Sequence, residues 1–168
     1  MHKAVFLDRD GTVVVDRAYL DNVEGIELLP GVGEALARLA AKGFLLVLIS
    51  NQSGVGRGYY SREMVDAQHV RLSELLANFS VAFDSIEICP HAPWDNCSCR
   101  KPKPGLLKQA ASNLQIDLRR SFMVGDKESD VMAGKQAGCQ TIFLGEICDQ
   151  ADWVAPGVSE AVDWIIQQ

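Results

Sequence analysis

Val5-Phe6-Leu7-Asp8-Arg9-Asp10-Gly11-Thr12 carries an apolar run into two carboxylates set two positions apart, with a glycine directly after them. On an extended backbone, side chains at i and i+2 point to the same side, so Asp8 and Asp10 converge on one small volume where the strand ends. Like charges that close call for a cation, and oxygen ligands in an open mouth suit Mg²⁺. The same stretch also reads as a strand ending in an acidic turn, because Asp and Gly are common turn residues. The rest of the chain decides between the two.

Outward from this stretch the elements alternate. Lys3 to Leu7 reads as a buried strand. Gly31 to Lys42, apolar at Val32, Leu36 and Leu39 and closed by Gly43, reads as a helix, and Phe44 to Ile49 as a second buried strand. Ser61 can cap a helix running to Asn78, and Ser85 to Cys89 makes a third strand. Pro104 opens a helix that reaches Leu114, and Phe122 to Gly125 follows as a strand. A helix over Glu128 to Ala137, strands at Gln140 to Leu144 and Trp153 to Ala155, and a helix over Ser159 to Gln167 complete the pattern. Strands alternating with helices predict an α/β fold, a Rossmann-like three-layer α/β/α sandwich around a mainly parallel sheet. In such a sheet ligands bind beyond the carboxyl ends of the strands. Asp8 and Asp10, Ser50-Asn51-Gln52-Ser53 and Gly125-Asp126-Lys127 all fall at such ends.

The 168 residues, 48% hydrophobic, are enough for one full core and too few for two ordinary domains, so a single domain over 1–168 is expected. The net charge of -6 speaks against a nucleic-acid partner, which would need clustered Lys and Arg. The longest aliphatic and aromatic run, Phe44 to Ile49, is far short of a membrane span, and the charge at Asp8 breaks any secretory core. A soluble, cytoplasmic protein is expected, with neither membrane nor nucleic acid as partner.

Five cysteines are present, and three of them join a histidine in Cys89-Pro90-His91 and Cys97-Ser98-Cys99. Three thiolates and an imidazole make a closed tetrahedral shell, the structural kind of zinc site. A disulfide beside an idle histidine is the alternative, and a reducing compartment disfavours it. Arg100 and Lys101 follow Cys99 directly, so a zinc-fixed loop over residues 89–99 would aim two cations at the mouth.

The chemistry follows from what meets there. A carboxylate at Asp8 can attack phosphorus and form an acyl phosphate, which splits hydrolysis into two easier steps. Asp10 would protonate the leaving oxygen and later take a proton from the attacking water. Asp126, after a strand and a glycine, can reach the same cation as Asp8, with the Asp10 main-chain carbonyl as a further ligand. Ser50 and Asn51 offer donors to the phosphoryl oxygens, and Lys101 and Lys127 offer positive charge. Arg57, in the glycine-rich stretch Gly54-Val55-Gly56-Arg57-Gly58, is a candidate for holding a second phosphate with its guanidinium fork.

Asp8-Arg9-Asp10-Gly11-Thr12, Ser50-Asn51, Lys101 and Gly125-Asp126 together resemble the four motifs of the haloacid dehalogenase superfamily of aspartate-nucleophile phosphatases, over most of the chain. The resemblance implies Asp8, Asp10, Ser50 and Lys101 as catalytic residues and Mg²⁺ held by Asp8, Asp10 and Asp126. Only one helix fits between Thr12 and the second strand, so this member is expected to be capless. Cys-x-His with Cys-x-Cys-Arg-Lys-Pro and Met-Val-Gly-Asp-Lys narrow the resemblance to the branch containing histidinol-phosphate and heptose-bisphosphate phosphatases. Asp16-Arg17-Ala18-Tyr19 and Lys103-Pro104-Gly105 are more similar to the heptose members. That resemblance implies Asp16, Tyr19, Asn51, Gln52, Ser53, Arg100 and Lys127 as substrate contacts and a small sugar bisphosphate as substrate; a monomer is expected. A zinc-stabilised binding module that has lost catalysis is the reading of another class, and the presence of all four motif residues speaks against it.

Overall fold

The computed structural model describes all 168 residues, Met1–Gln168. Six strands, β1 (Lys3–Leu7), β2 (Phe44–Asn51), β3 (Ser85–Cys89), β4 (Phe122–Gly125), β5 (Gln140–Leu144) and β6 (Trp153–Ala155), form one sheet in the order β3-β2-β1-β4-β5-β6. Every pairing is parallel, with Leu7 opposite Leu48 on one side and Val124 on the other. The helices are α1 (Val32–Ala41), α2 (Ser53–Gly56), α3 (Arg62–Ala77), α4 (Gly105–Leu114), α5 (Glu128–Ala137) and α6 (Val158–Ile166).

Continuous apolar strands are what a sheet covered on both faces requires, and here the central strands β1, β2 and β4 split their side chains between two cores. Val5 and Leu7 of β1, Leu46 and Leu48 of β2, and Phe122 and Val124 of β4 join a cluster of 24 buried residues that also draws on α1, α3 and α6. Ala4 and Phe6, Val47 and Ile49, and Met123 face the opposite way into a cluster of 14, closed by α4 and α5. The expected three-layer architecture is the one observed.

Local signals set most boundaries. Ser61 accepts from the Met64 N–H and starts α3, and Gly138, at φ 97°, ends α5 in a left-handed conformation that glycine adopts without strain. Pro104 lies one residue before α4 rather than at its first position. The short α2, with only four residues, went unpredicted. No helix is long and apolar enough to cross a membrane. Between Thr12 and β2 the only helix is α1, so no inserted domain covers the carboxyl edge of the sheet.

The sheet runs outward from β1 in both directions, to β2 and β3 on one side and to β4, β5 and β6 on the other. Connections leaving β1 and β4 therefore diverge, and a crevice opens between the ends of those two neighbours. Asp8 follows β1 and Asp126 follows β4, one on each side of it.

Candidate active site

Lys101 is the centre of charge in this crevice. Its ammonium lies 2.6 Å from Asp8 Oδ1 and 2.6 Å from Asp130 Oδ1, and it donates to the Ile49 carbonyl at 3.0 Å. All three side chains are buried. Burial alone would strip the proton from Lys101, but the two carboxylates outweigh it and raise its pKa. Asp130 serves a second purpose: it accepts the Lys127 N–H at 3.1 Å and so starts α5. One side chain thus both pairs with Lys101 and starts the helix.

Carboxylate oxygens of Asp8, Asp126 and Asp130 all lie within 4.8 Å of one another. Asp8 Oδ2 is buried with no hydrogen-bond partner, an arrangement that suits a cation or an electrophile and little else. Burial, then the charges of Asp8 and Asp130, push the Asp126 carboxyl up to about 6. Gly11 makes the space: at φ 86°, a Cβ there would stand 2.2 Å from Asp126 Oδ2. These oxygens fit Mg²⁺. The Asp10 carboxylate is not among them: Arg9 and Gln52 hold it.

Arg9 forks onto Asp10, with Nε 3.0 Å from Oδ2 and a terminal nitrogen 3.2 Å from Oδ1. Gln52 donates to Asp10 Oδ2 at 3.0 Å and to Ser50 Oγ at 2.8 Å, while its own carbonyl accepts from the Tyr60 hydroxyl. Ser50 therefore keeps its hydroxyl proton to give. Asn51 spends much of its amide on the Lys101 main chain, accepting from its N–H at 3.0 Å and donating to its carbonyl at 3.1 Å. Its observed work is to hold the loop that delivers Lys101.

Around these residues lies a cavity of about 380 Å³, walled by Asp16, Tyr19, Asn51, Gln52, Ser53, Arg100 and Lys127 among others. Asp16 accepts from the Ala18 N–H and stands 3.7 Å from the Lys127 ammonium. One terminal nitrogen of Arg100 is buried without a partner, a donor left ready for an anion. Arg57 is the exception among the expected contacts. Its guanidinium lies over the rings of Tyr19, at 5.5 Å, and Trp94, at 5.0 Å, and it is not part of the cavity wall. Its Nε also donates to Ser53 Oγ at 3.4 Å, and the two aromatic faces hold the cation in place.

The zinc ligands meet as their spacing predicts. Cys89 Sγ is 3.6 Å from Cys97 Sγ and 3.2 Å from Cys99 Sγ, and His91 Nδ1 is 3.5 and 3.2 Å from Cys89 and Cys99 Sγ. A tetrahedron with Zn–S bonds of about 2.3 Å has edges of about 3.8 Å, so the four atoms fit a zinc ion closely. Without a cation, burial and the Cys99 thiol push the Cys89 thiol up to about 12. Cys89 also pairs with Asn51 across β2 and β3, which ties the zinc loop to the strand end that anchors Lys101.

Sequence reasoning missed Arg9, Gln68 and Tyr60. Arg9 carried a signal, a cation between two acids in an apolar stretch, but its partner Gln68 lies 59 positions away and has none.

A nucleophile-ready aspartate beside a buried lysine, with carboxylates across a parallel-sheet crevice, defines a class of hydrolase. A HAD-hydrolase-like family model matches residues 98–161, and the full-length relatives extend the match across the chain. The chain belongs to the haloacid dehalogenase family of hydrolases. It is 43% identical, over 98% of its length and 97% of the relative's, to the D-glycero-beta-D-manno-heptose-1,7-bisphosphate 7-phosphatase of Helicobacter pylori strain J99. It is 46% identical to the enzyme of the same name from Pasteurella multocida, over 86% of this chain and 82% of that one. The crystal structure of D,D-heptose 1,7-bisphosphate phosphatase from B. bronchiseptica, complexed with magnesium and phosphate, superposes with a TM-score of 0.90 at 32% identity, covering 98% of each chain.

Proposed function

We propose that this protein is a Mg²⁺-dependent phosphatase that removes the 7-phosphate of D-glycero-D-manno-heptose 1,7-bisphosphate through a phosphorylated Asp8. The observation that carries the reading is the state of Asp8, with Oδ1 fixed by Lys101 and Oδ2 buried and unpartnered beside a cation-rich cavity. Asp8 attacks the 7-phosphorus and forms an acyl phosphate as the bond to the sugar oxygen breaks, and Asp10 gives that oxygen its proton. Asp10, now a carboxylate, takes a proton from water as the water attacks the same phosphorus. Inorganic phosphate leaves and Asp8 is restored. Lys101 and the Ser50 hydroxyl face the charge that spreads over the phosphoryl oxygens. Mg²⁺, held by Asp8, Asp126 and the Asp10 carbonyl, would supply further positive charge there.

The remote phosphate selects the substrate. Arg100 and Lys127 stand on the cavity wall with Asp16 and Tyr19, a set that can hold a second anion and the hydroxyls of the sugar between. Histidinol phosphate, the second reading, carries one phosphate and an ammonium group and would leave Arg100 unpaired. Structural zinc on Cys89, His91, Cys97 and Cys99 supports catalysis by fixing Arg100 and Lys101. The whole chain is read as one phosphatase domain, acting as a cytoplasmic monomer in bacterial heptose synthesis for lipopolysaccharide core or other glycans. Turnover of heptose 1,7-bisphosphate is expected to exceed that of histidinol phosphate by orders of magnitude, with the 1-phosphate as the identified product. A preference for the amino alcohol overturns the assignment.

A further inference from the structure

Arg9 and Gln68 are buried polar side chains, Arg9 at the back of the cavity and Gln68 behind it, and between them they use nearly all their hydrogen-bonding capacity. The Arg9 guanidinium grips both oxygens of Asp10 with one edge. Its remaining terminal nitrogen donates to Gln68 Oε1 at 2.9 Å and faces His69 Nε2 at 3.5 Å. Arginine can only donate, so this His69 nitrogen is an acceptor and the ring is neutral with its proton on Nδ1. Burial, then the Arg9 charge, hold His69 down at about 4, which keeps it so. Gln68 turns its amide nitrogen the other way and donates to the main-chain carbonyls of Leu20 at 2.8 Å and Asn22 at 3.1 Å. The amide has one possible orientation. Flipped, it would set its NH₂ against a guanidinium and its oxygen against two carbonyls.

We propose that Gln68 is a positioning residue that locks the Asp10 carboxylate, through Arg9, to the loop that carries Asp16 and Tyr19. That loop needs a tether. Ala18 and Tyr19 both sit at positive φ, 47° and 54°, a conformation costly to residues with a Cβ and held only where the surroundings fix it. One amide of α3 thus sets the acid/base carboxylate on one side of the mouth and the substrate-facing loop on the other. Neither Gln68 nor Arg9 reacts. They hold the distance between two groups that must engage the same substrate.

The proposal rests on Asp10 being the general acid and base, and the test separates the two claims. A sugar alkoxide needs a proton to leave and p-nitrophenolate does not, so misplacing the acid depresses alkyl phosphates far more than aryl ones. In Gln68→Leu, kcat/KM for alkyl phosphates is expected to fall at least tenfold further than for p-nitrophenyl phosphate, against a loss of about 10²–10⁴ when a general acid is removed altogether. Asp10→Asn is measured beside it. If Asp10→Asn leaves the leaving-group dependence unchanged, the mechanism is wrong. If Asp10→Asn steepens it and a folded Gln68→Leu does not, the positioning role alone is overturned. Gln68→Glu keeps an acceptor for Arg9 and loses the donors to Leu20 and Asn22. It should restore the wild-type leaving-group dependence while KM for the sugar bisphosphate stays several-fold raised, and failure to separate the two effects overturns the coupling. Should Gln68→Leu not fold, Arg9→Lys carries the test, because an ammonium cannot fork onto both oxygens. An unchanged leaving-group dependence in Arg9→Lys is then decisive against the proposal.

Discussion

Replacing Lys101 with methionine keeps most of the buried stem and removes only the ammonium that Asp8, Asp130 and the Ile49 carbonyl share. What remains is a trio of carboxylates, Asp8, Asp126 and Asp130, with oxygens within 4.8 Å and no cation among them. Breaking a buried ion pair from one side costs about 3–5 kcal/mol, because the surviving charge is left desolvated. For a chain of this size each kcal/mol lowers Tm by about 2–4 °C, so metal-free Lys101→Met should melt roughly 6–20 °C below wild type near pH 7. The sign with pH is fixed. Carboxyls whose folded pKa rises keep protons that the unfolded chain has already released, so the deficit is small near pH 4 and grows as pH rises. Adding Asp130→Asn removes one stranded charge, so the double variant should regain a substantial part of the loss without regaining activity. Activity itself should fall about 10²–10³-fold, the scale of removing one preorganised charge from a reaction centre. Thermal melts of the two single variants, the double variant and wild type, with and without Mg²⁺, form the assay. A double variant no more stable than Lys101→Met would refute the account of Lys101 as counter-ion to Asp130.

Two other perturbations have signs set by the geometry. Chelating zinc should lower activity several-fold or more by loosening Arg100 and Lys101 while Asp8 stays in place, and full activity in protein shown by metal analysis to be zinc-free would count against it. The Asp126 carboxyl sits at about 6 in the metal-free protein, raised by burial and by Asp8, so Mg²⁺ must displace a proton below that pH. Apparent Mg²⁺ affinity, followed by calorimetry, should weaken about tenfold per pH unit below 6 and level off above it. The stability of metal-free protein should fall as pH rises from about 4 through 6, the window in which folded Asp126 still holds its proton. A flat Mg²⁺ affinity from pH 5 to 7.5 would refute the site.

Much of this site can be read along the chain because its signals are local. Asp8 directly follows an apolar strand, Asp126 follows a strand and a glycine, and the candidate zinc ligands Cys89 to Cys99 lie within one short stretch. Continuous apolar runs and well-placed caps then give the element order, and the order gives the parallel sheet. What the amino-acid order could not convey is where long side chains end up after the helices cross. Asp10 gives its carboxylate to Arg9 and Gln52, and Arg57 stacks between Tyr19 and Trp94. Asn51 serves the Lys101 main chain, 50 positions away, and Gln68 reaches Arg9 across 59. Buried polar groups must find partners, and the chain alone states the need without naming the partner. The sequence by itself determined the strand ends at which Asp8 and Asp126 stand and the short stretch that gathers the candidate zinc ligands, since each depends on near neighbours along the chain. Only the tertiary structure decided that Lys101 lies buried between Asp8 and Asp130, and that α3 holds Asp10, because those contacts exist only once separate elements pack around β1.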